Sequence, residues 1–192
     1  MKIILASKSG VRKQILDKYK IDNEVILSNV DEDEVKVSLL SEGANPLSIS
    51  KNLAEIKSIK VSNKNPDRLV LGADSVISLN EELINKPSSR EEALNILKKL
   101  NNSKHNLISS VCISKNGSMI WNYTDISELK MKNLTDSELN TDLDKIDTKT
   151  LLAYGVYQIE AEGFELFEYI KGDKESIMGL PVKEIINYIN KL

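Results

Sequence analysis

Apolar residues fall along the chain into short continuous runs and into stretches with helical spacing, and the two kinds alternate from the start. Ile3 to Ala6 has the length and continuity of a short buried strand. Ser7-Lys8-Ser9 then leads into a segment with Val11, Ile15, Leu16 and Tyr19 at helical spacing, with Ser9 suited to cap it. A strand is expected over Glu24 to Leu27, followed by the acidic run Asp31-Glu32-Asp33-Glu34, read as a solvated loop. Helical spacing returns from Pro46 to Val61 with Ile49, Leu53, Ile56 and Lys57. Leu69 to Leu79 is the most apolar segment and predicts a central strand with Asp74 in its middle, closed by a turn at Asn80-Glu81-Glu82.

The second half continues the alternation. Ser88 to Leu100 reads as an amphipathic helix that opens on serine and the acids Glu91 and Glu92. Two strands, about His105 to Ser114 and Met119 to Met131, flank Asn116-Gly117 in the pattern of a tight hairpin. A short capped helix over Thr135 to Leu143, a strand over Phe164 to Ile170 and a terminal helix over Leu180 to Leu192 complete the prediction. Strands interleaved with helices give an α/β class, and the absence of repeats and linkers gives one domain over residues 1–192.

Composition agrees with a folded body: 41% of residues are hydrophobic and 29% charged, far from the balance that keeps chains disordered. The N-terminal apolar run is too short for a secretory segment, and no run approaches the ~20 residues of a membrane span. A cytoplasmic protein without membrane association is therefore expected. The single Cys112 excludes an internal disulfide and reads as a core residue. With a net charge of −3 the molecule offers no broad basic field for long nucleic acid, so any phosphate ligand must be held by local cations. Only 3 of the 26 basic residues are arginines, which draws attention to Arg12.

Asp74 is the main chemical signal, because a carboxylate in an apolar strand is costly to bury unless a cation, a metal or hydrogen bonds compensate. It is either a site residue or a structural aspartate that accepts backbone hydrogen bonds. Gly72 just before it leaves room for a ligand or another backbone to approach. Ser7, Ser9 and Arg12 stand where a strand end meets a helix start, a place suited to phosphate; the bland reading is a capped helix with a surface arginine. Lys57 interrupts an apolar helical face and Lys86 follows the Asp74 strand, and each points either inward or into solvent. Glu32 could share a Mg²⁺ ion with Asp74, since that ion favours one or two carboxylates plus phosphate oxygens. Asp31-x-Asp33 imitates the nucleophile motif of haloacid-dehalogenase phosphatases, but its acid-rich setting makes the match cheap. No P-loop and no Gly-x-Ser-x-Gly elbow occurs, and a lone His105 and a lone Cys112 exclude a zinc site built from several such ligands. His105 reads as a hydrogen-bonded structural residue.

In chain order, Leu5-Ala6-Ser7-x-Ser9-x-x-Arg12, Asp31-Glu32, Leu53-Ala54-x-x-Lys57, Leu71-Gly72-Ala73-Asp74-Ser75-Val76, Lys86-Pro87 and Gly179-Leu180-Pro181 resemble the Maf-like nucleoside triphosphate pyrophosphatase family over nearly the whole chain. Glu91-Glu92-Ala93 with His105, and Gly155-x-Tyr157-x-Ile159-Glu160 followed by Gly172, extend the likeness. The resemblance implies an elongated, two-lobed mixed β-sheet flanked by helices with a central cleft, a frequent homodimer, a divalent metal (Mg or Mn) and a nucleoside triphosphate substrate. It implies Asp74 as general base, Glu32, Lys57 and Lys86 as catalytic partners, Ser7, Ser9 and Arg12 at the phosphates, and Asp74 with Glu32 at the metal.

The chain also departs from that pattern. The family's Pro-Arg-Arg is Gly10-Val11-Arg12, the usual Gly before Lys86 is Asn85, and the usual Lys-Ala-Gly is Ala153-Tyr154-Gly155. Three positions that match base-specificity sites are Val11, Ser75 and Glu160. The branch that prefers dTTP and UTP carries Arg, Thr and Gln there, and the branch acting on 7-methyl-GTP carries Trp, Gln and Glu. Ser75 resembles the first and Glu160 the second, so the base stays open. Two other functions remain to be weighed: a non-catalytic nucleotide-binding or division-associated interaction protein on the same scaffold, and a phosphomonoesterase acting through Asp31.

Overall fold

The computed structural model describes residues 2–157 and 165–192. In chain order these form β1 (Ile3–Leu5), α1 (Gly10–Lys18), β2 (Asn23–Val25), α2 (Glu32–Ser41), α3 (Pro46–Ser62), β3 (Val70–Leu79), β4 (Glu82–Ile84), α4 (Arg90–Leu100), β5 (Lys104–Lys115), β6 (Ser118–Met131), α5 (Asp136–Asp144), α6 (Thr148–Tyr154), β7 (Phe167–Lys171), α7 (Lys174–Ile177) and α8 (Val182–Ile189). Among the described residues seven strands make one mixed sheet in the order β2-β1-β3-β5-β6-β7, with β4 added to β3. β1 runs parallel to β2 and β3, and the remaining pairs are antiparallel.

β3 organises everything else because its sequence is apolar on both faces and nearly all of it is buried. Leu71 and Ala73 point to one face, where they join Ile3, Leu5, Ile15, Leu16, Val182 and Ile185 beneath α1 and α8. Val70 points to the other, against Ile4, Ala6 and Val61. On that face Gly72 lets α3 lie directly on the strand. A Cβ at Gly72 would stand 2.1 Å from the Ala54 carbonyl oxygen and 2.8 Å from the Ser58 amide nitrogen. A second apolar core forms at the far end of the β3–β5 ladder, where Leu79, Ile84, Leu97, Leu100, Leu129, Met131, Leu139 and Phe167 pack together. The two cores at opposite ends of one ladder are the two lobes.

One edge of β3 is fully paired with β5 over Val70–Ser78. The opposite edge is shared: β1 takes Val70 and Leu71, β4 takes Ile77 to Leu79, and neither strand takes Gly72 to Val76. A strand has only two edges, so this arrangement leaves a notch in the sheet beside Asp74, between the two lobes.

Most expected elements are present, and the differences have local causes. The acidic run is the first turn of α2, not a loop: Asp31 Oδ1 accepts a hydrogen bond from the Glu34 amide at 3.1 Å, and Glu32, Asp33 and Glu34 suit the positive end of a helix. The helix was hidden because none of its residues is buried, so no apolar stripe marks it. β4 was hidden by its length of three residues; Asn80 and Glu81, both at positive φ, form the tight turn that brings it back onto β3. α6 opens on Asp147, whose side chain accepts from the Thr150 amide, and α7 is a single four-residue piece. The expected strand from Phe164 is observed as Phe167–Lys171, with Phe164 outside the described residues, and the terminal helix begins at Val182. Asn116 and Gly117 form the expected hairpin tip at positive φ. Cys112 is buried as a core residue.

Candidate active site

Alternation along β3 sends Asp74 to the α3 face and Ser75 to the α1 face. On the α3 face Lys57 meets Asp74: its Nζ lies 2.8 Å from Asp74 Oδ1 and 2.9 Å from Glu32 Oε1. Lys57 is 4% exposed and Asp74 5%, so the ammonium bridges two carboxylates almost out of water. The close approach permitted by Gly72 sets this contact, since Lys57 lies between Ala54 and Ser58, the two α3 residues that touch the glycine. Ser50, one helix stripe away, donates to the Asp74 main-chain oxygen at 3.3 Å. Asp74 Oδ2 is buried and has no hydrogen-bond partner among the described residues.

Arg12 gathers the other face. Its Nε donates to the Gly179 carbonyl at 2.9 Å, and Nη1 donates to Ser7 Oγ at 2.9 Å and to the Ala73 carbonyl at 3.1 Å. Its Nη2 donates to Ser75 Oγ at 3.0 Å, and Ser75 Oγ in turn contacts Ser109 Oγ at 3.0 Å. Four of the five guanidinium donors are thus spent on the protein. Arg12 ties the end of β1, the notch in β3 and the Gly179 turn together. Ser9 caps α1 by accepting from the Arg12 amide, and Ser7 Oγ accepts from the Ser9 amide.

Both faces open on one cavity of about 400 Å³ between the lobes. Ser7, Ser9, Val11, Arg12, Glu32, Lys57, Asp74, Ser75 and Lys86, scattered over eighty residues, all line it. Glu160 lies outside the described residues. Two kinds of residue in the wall were missed in the sequence. Lys36 is one: no apolar stripe marks α2 in the sequence, and only in the helix capped by Asp31 do Glu32 and Lys36 fall one turn apart. The other is an apolar wall from the second lobe that includes Ile84, Ile96, Leu107, Val156 and Tyr157. His105 supports that wall, with Nε2 2.9 Å from the Tyr157 hydroxyl, and burial lowers its pKa to about 4, which keeps it neutral at pH 7. Asp31, the nucleophile of the phosphomonoesterase alternative, is an exposed helix cap and does not line the cavity.

The electrostatics follow from this geometry. Burial raises the Asp74 carboxyl above its ordinary value, against the opposing pull of Lys57 and Arg12. Burial also acts to raise Glu32, but Lys57 and Lys86 outweigh it and hold that carboxyl low. Desolvation lowers the Lys86 ammonium, and Glu32 opposes the shift. Desolvation lowers Arg12 as well, with Asp74 and Glu32 counteracting. Among the described residues no group of three or more His, Cys, Asp or Glu side chains is arranged to hold a metal. Asp74 and Glu32 supply two carboxylates with one orphaned buried oxygen, which fits an ion that takes one or two protein carboxylates and completes its shell with water and phosphate.

Fold and site define a mixed α/β protein whose central strand carries a buried carboxylate–lysine pair into a cation-lined cleft. The chain belongs to the Maf-like family: the family model described as Maf-like protein matches residues 2–192. A protein of Pelagibacter ubique named nucleoside triphosphate pyrophosphatase is 60% identical over 187 residues, covering 97% of this chain and 96% of its own. One of the same name from Ruegeria pomeroyi is 37% identical, covering 97% and 94%. A 7-methyl-GTP pyrophosphatase of Brucella abortus is 34% identical over 186 residues, covering 97% and 94%. Among solved structures a HAM1 protein from Coxiella burnetii aligns over 70% of this chain and 74% of its own at 13% identity with a TM-score of 0.46, a likeness too remote to bear on the chemistry.

Proposed function

We propose that this protein is a nucleoside triphosphate pyrophosphatase that hydrolyses the bond between the α and β phosphates, giving a nucleoside monophosphate and pyrophosphate. The observation that carries the reading is Asp74: a buried carboxylate with one oxygen held by Lys57 and the other without a partner among the described residues, in a cavity wall shared with Arg12, Lys57 and Lys86. In the proposed reaction Asp74 accepts a proton from a water that attacks the α-phosphorus. The bond from that phosphorus to the bridging oxygen breaks, and pyrophosphate leaves with the electron pair. Lys57 fixes Asp74 and Glu32 in one orientation, while Lys86 offsets charge on the polyphosphate where little water competes. Ser7, Ser9 and Arg12 border the same space. Asp74 and Glu32 would hold a divalent cation, Mg²⁺ or Mn²⁺, which when bound supplies Lewis-acid neutralisation of the phosphates.

The cationic wall suits the phosphates and the apolar wall of the second lobe suits the nucleoside. Val11 and Ser75 line the cavity as specificity positions, although Ser75 Oγ is engaged by Arg12, and Glu160 completes the proposed set. Relatives named for nucleoside triphosphates and for 7-methyl-GTP leave both substrate types in view. No helix among the described residues is long and apolar enough to cross a membrane. The same reading takes the protein as a cytoplasmic homodimer acting on free nucleotides.

Incubation with Mg²⁺ or Mn²⁺ and a panel of normal and methylated nucleotides, with products separated by chromatography, tests the proposal. Monophosphate and pyrophosphate are expected. A diphosphate with orthophosphate would contradict the cleavage site, and tight binding without turnover would favour a non-catalytic nucleotide-binding protein.

A further inference from the structure

Lys36 is a cation in the cavity wall to which the reaction above gives no role. It stands on α2, a helix that buries none of its residues, yet its side chain is only 16% exposed and lines the cavity. A lysine on such a helix would ordinarily extend its ammonium into water, and turning it inward costs rotamer freedom and hydration. The ion pair it makes among the described residues does not offset that cost: Asp33 Oδ1 is 3.6 Å away on a side chain that is 95% exposed. Glu32, one turn back, is already engaged by Lys57 at 2.9 Å.

The charges around Lys36 indicate which part of a ligand it meets. Lys36 and Lys86 both line the cavity, and both act attractively on Glu32, so the two ammonium groups lie on the Glu32 side of it. The charges that act most strongly on Asp74 are Lys57, Arg12 and Glu32, and Lys86 is drawn toward Asp74 more strongly than it is repelled by Lys36, which leaves Lys36 as a cavity cation set apart from the base. Two cations from different elements that repel across one space are relieved by an anion of more than one charge between them. In an in-line displacement the leaving group lies opposite the attacking water, and therefore away from the base.

We propose that Lys36 is a substrate-binding residue that, together with Lys86, grips the β- and γ-phosphates, the part that departs as pyrophosphate. The proposal rests on the pyrophosphatase reading of this site. It assigns to α2 a direct part in recognising the leaving group, beyond contributing Glu32.

Calorimetric binding of inorganic pyrophosphate and of a nucleoside monophosphate, each with Mg²⁺ present, to the wild type, Lys36→Gln and Lys36→Arg tests this. Because α2 buries nothing, the variants should fold as the wild type does, which circular dichroism checks. Lys36→Gln should weaken pyrophosphate binding roughly tenfold, leave monophosphate binding within about twofold and raise KM more than it lowers kcat, with Lys36→Arg recovering most of the loss. Unchanged pyrophosphate binding in Lys36→Gln, or equal weakening of both ligands, would overturn the assignment. A wild type that releases orthophosphate would instead overturn the underlying reaction, before any variant is made.

Discussion

Lys57 Nζ lies 2.8 Å from Asp74 Oδ1, and the pair is held there because Gly72 lets α3 settle onto β3 without a side chain between them. One helix residue thereby fixes one oxygen of the strand carboxylate, and the other oxygen has no partner among the described residues. A group built this way is oriented yet basic, since burial raises its pKa while the lysine limits the rise.

The pH profile should report that balance. Asp74 acts as a base only when ionised, so kcat/KM should fall as pH falls through its folded-state pKa. Because burial raises that pKa, the acidic limb should lie above the ordinary carboxylate value of about 4. Lys57→Gln removes the opposing charge and should move the limb to higher pH, at a stability cost of about 3–5 kcal/mol for the unpaired buried carboxylate. Asp74→Asn should lower kcat by about 10²–10⁴-fold while nucleotide binding persists. Steady-state kinetics across pH and calorimetric titration check these outcomes; full activity in Asp74→Asn would remove Asp74 from the mechanism.

Arg12 separates two roles that the sequence could not. As a source of charge for phosphate it would be replaceable by lysine. As the tie between Ser7, Ala73, Ser75 and Gly179 it would not, because a single ammonium on a flexible stem cannot reach four acceptors set around a planar fork. Arg12→Lys should therefore lower stability by about 2–4 kcal/mol, seen in denaturant unfolding, and reduce turnover with it. Wild-type stability combined with a raised KM would return Arg12 to a purely phosphate-binding role.

Much of this architecture was legible in the chain. Leu69–Leu79 announced a central strand by its continuous apolar run, and Asp74 stood out as the one charge within it. The capped helices over residues 90–100 and 136–144 were marked by serine or threonine followed by acids. What stayed hidden depended on partners distant in sequence. Gly72 could be read as room for something, but only the fold shows that the backbone at Ala54 and Ser58 fills it. Arg12 had a suitable position, but three of the four acceptors that consume its donors lie 61 to 167 residues away. α2 lacks an apolar stripe, and with it Lys36 was lost.

Gly72 is the position where the fold and the site depend on the same absent atom. Gly72→Ala would drive a Cβ against backbone atoms of α3, which cannot rotate away as a side chain would. The helix must lift from β3, at a cost of about 3 kcal/mol or a melting point lower by roughly 6–12 °C. Lys57 should then lose its hold on Asp74, so activity measured well below the melting point should fall even where the protein remains folded. Scanning calorimetry with parallel rate measurements checks both effects, and an unchanged melting point would show that the contact is not tight.

Hydrolysis in ¹⁸O-enriched water, with the products analysed by mass spectrometry, tests the central claim most directly. If Asp74 directs water onto the α-phosphorus, a single turnover places the label in the nucleoside monophosphate and leaves the pyrophosphate unlabelled. Label in the pyrophosphate would mean attack at the β-phosphorus, and the assignment of Asp74 as the base for attack at the α-phosphorus would be wrong.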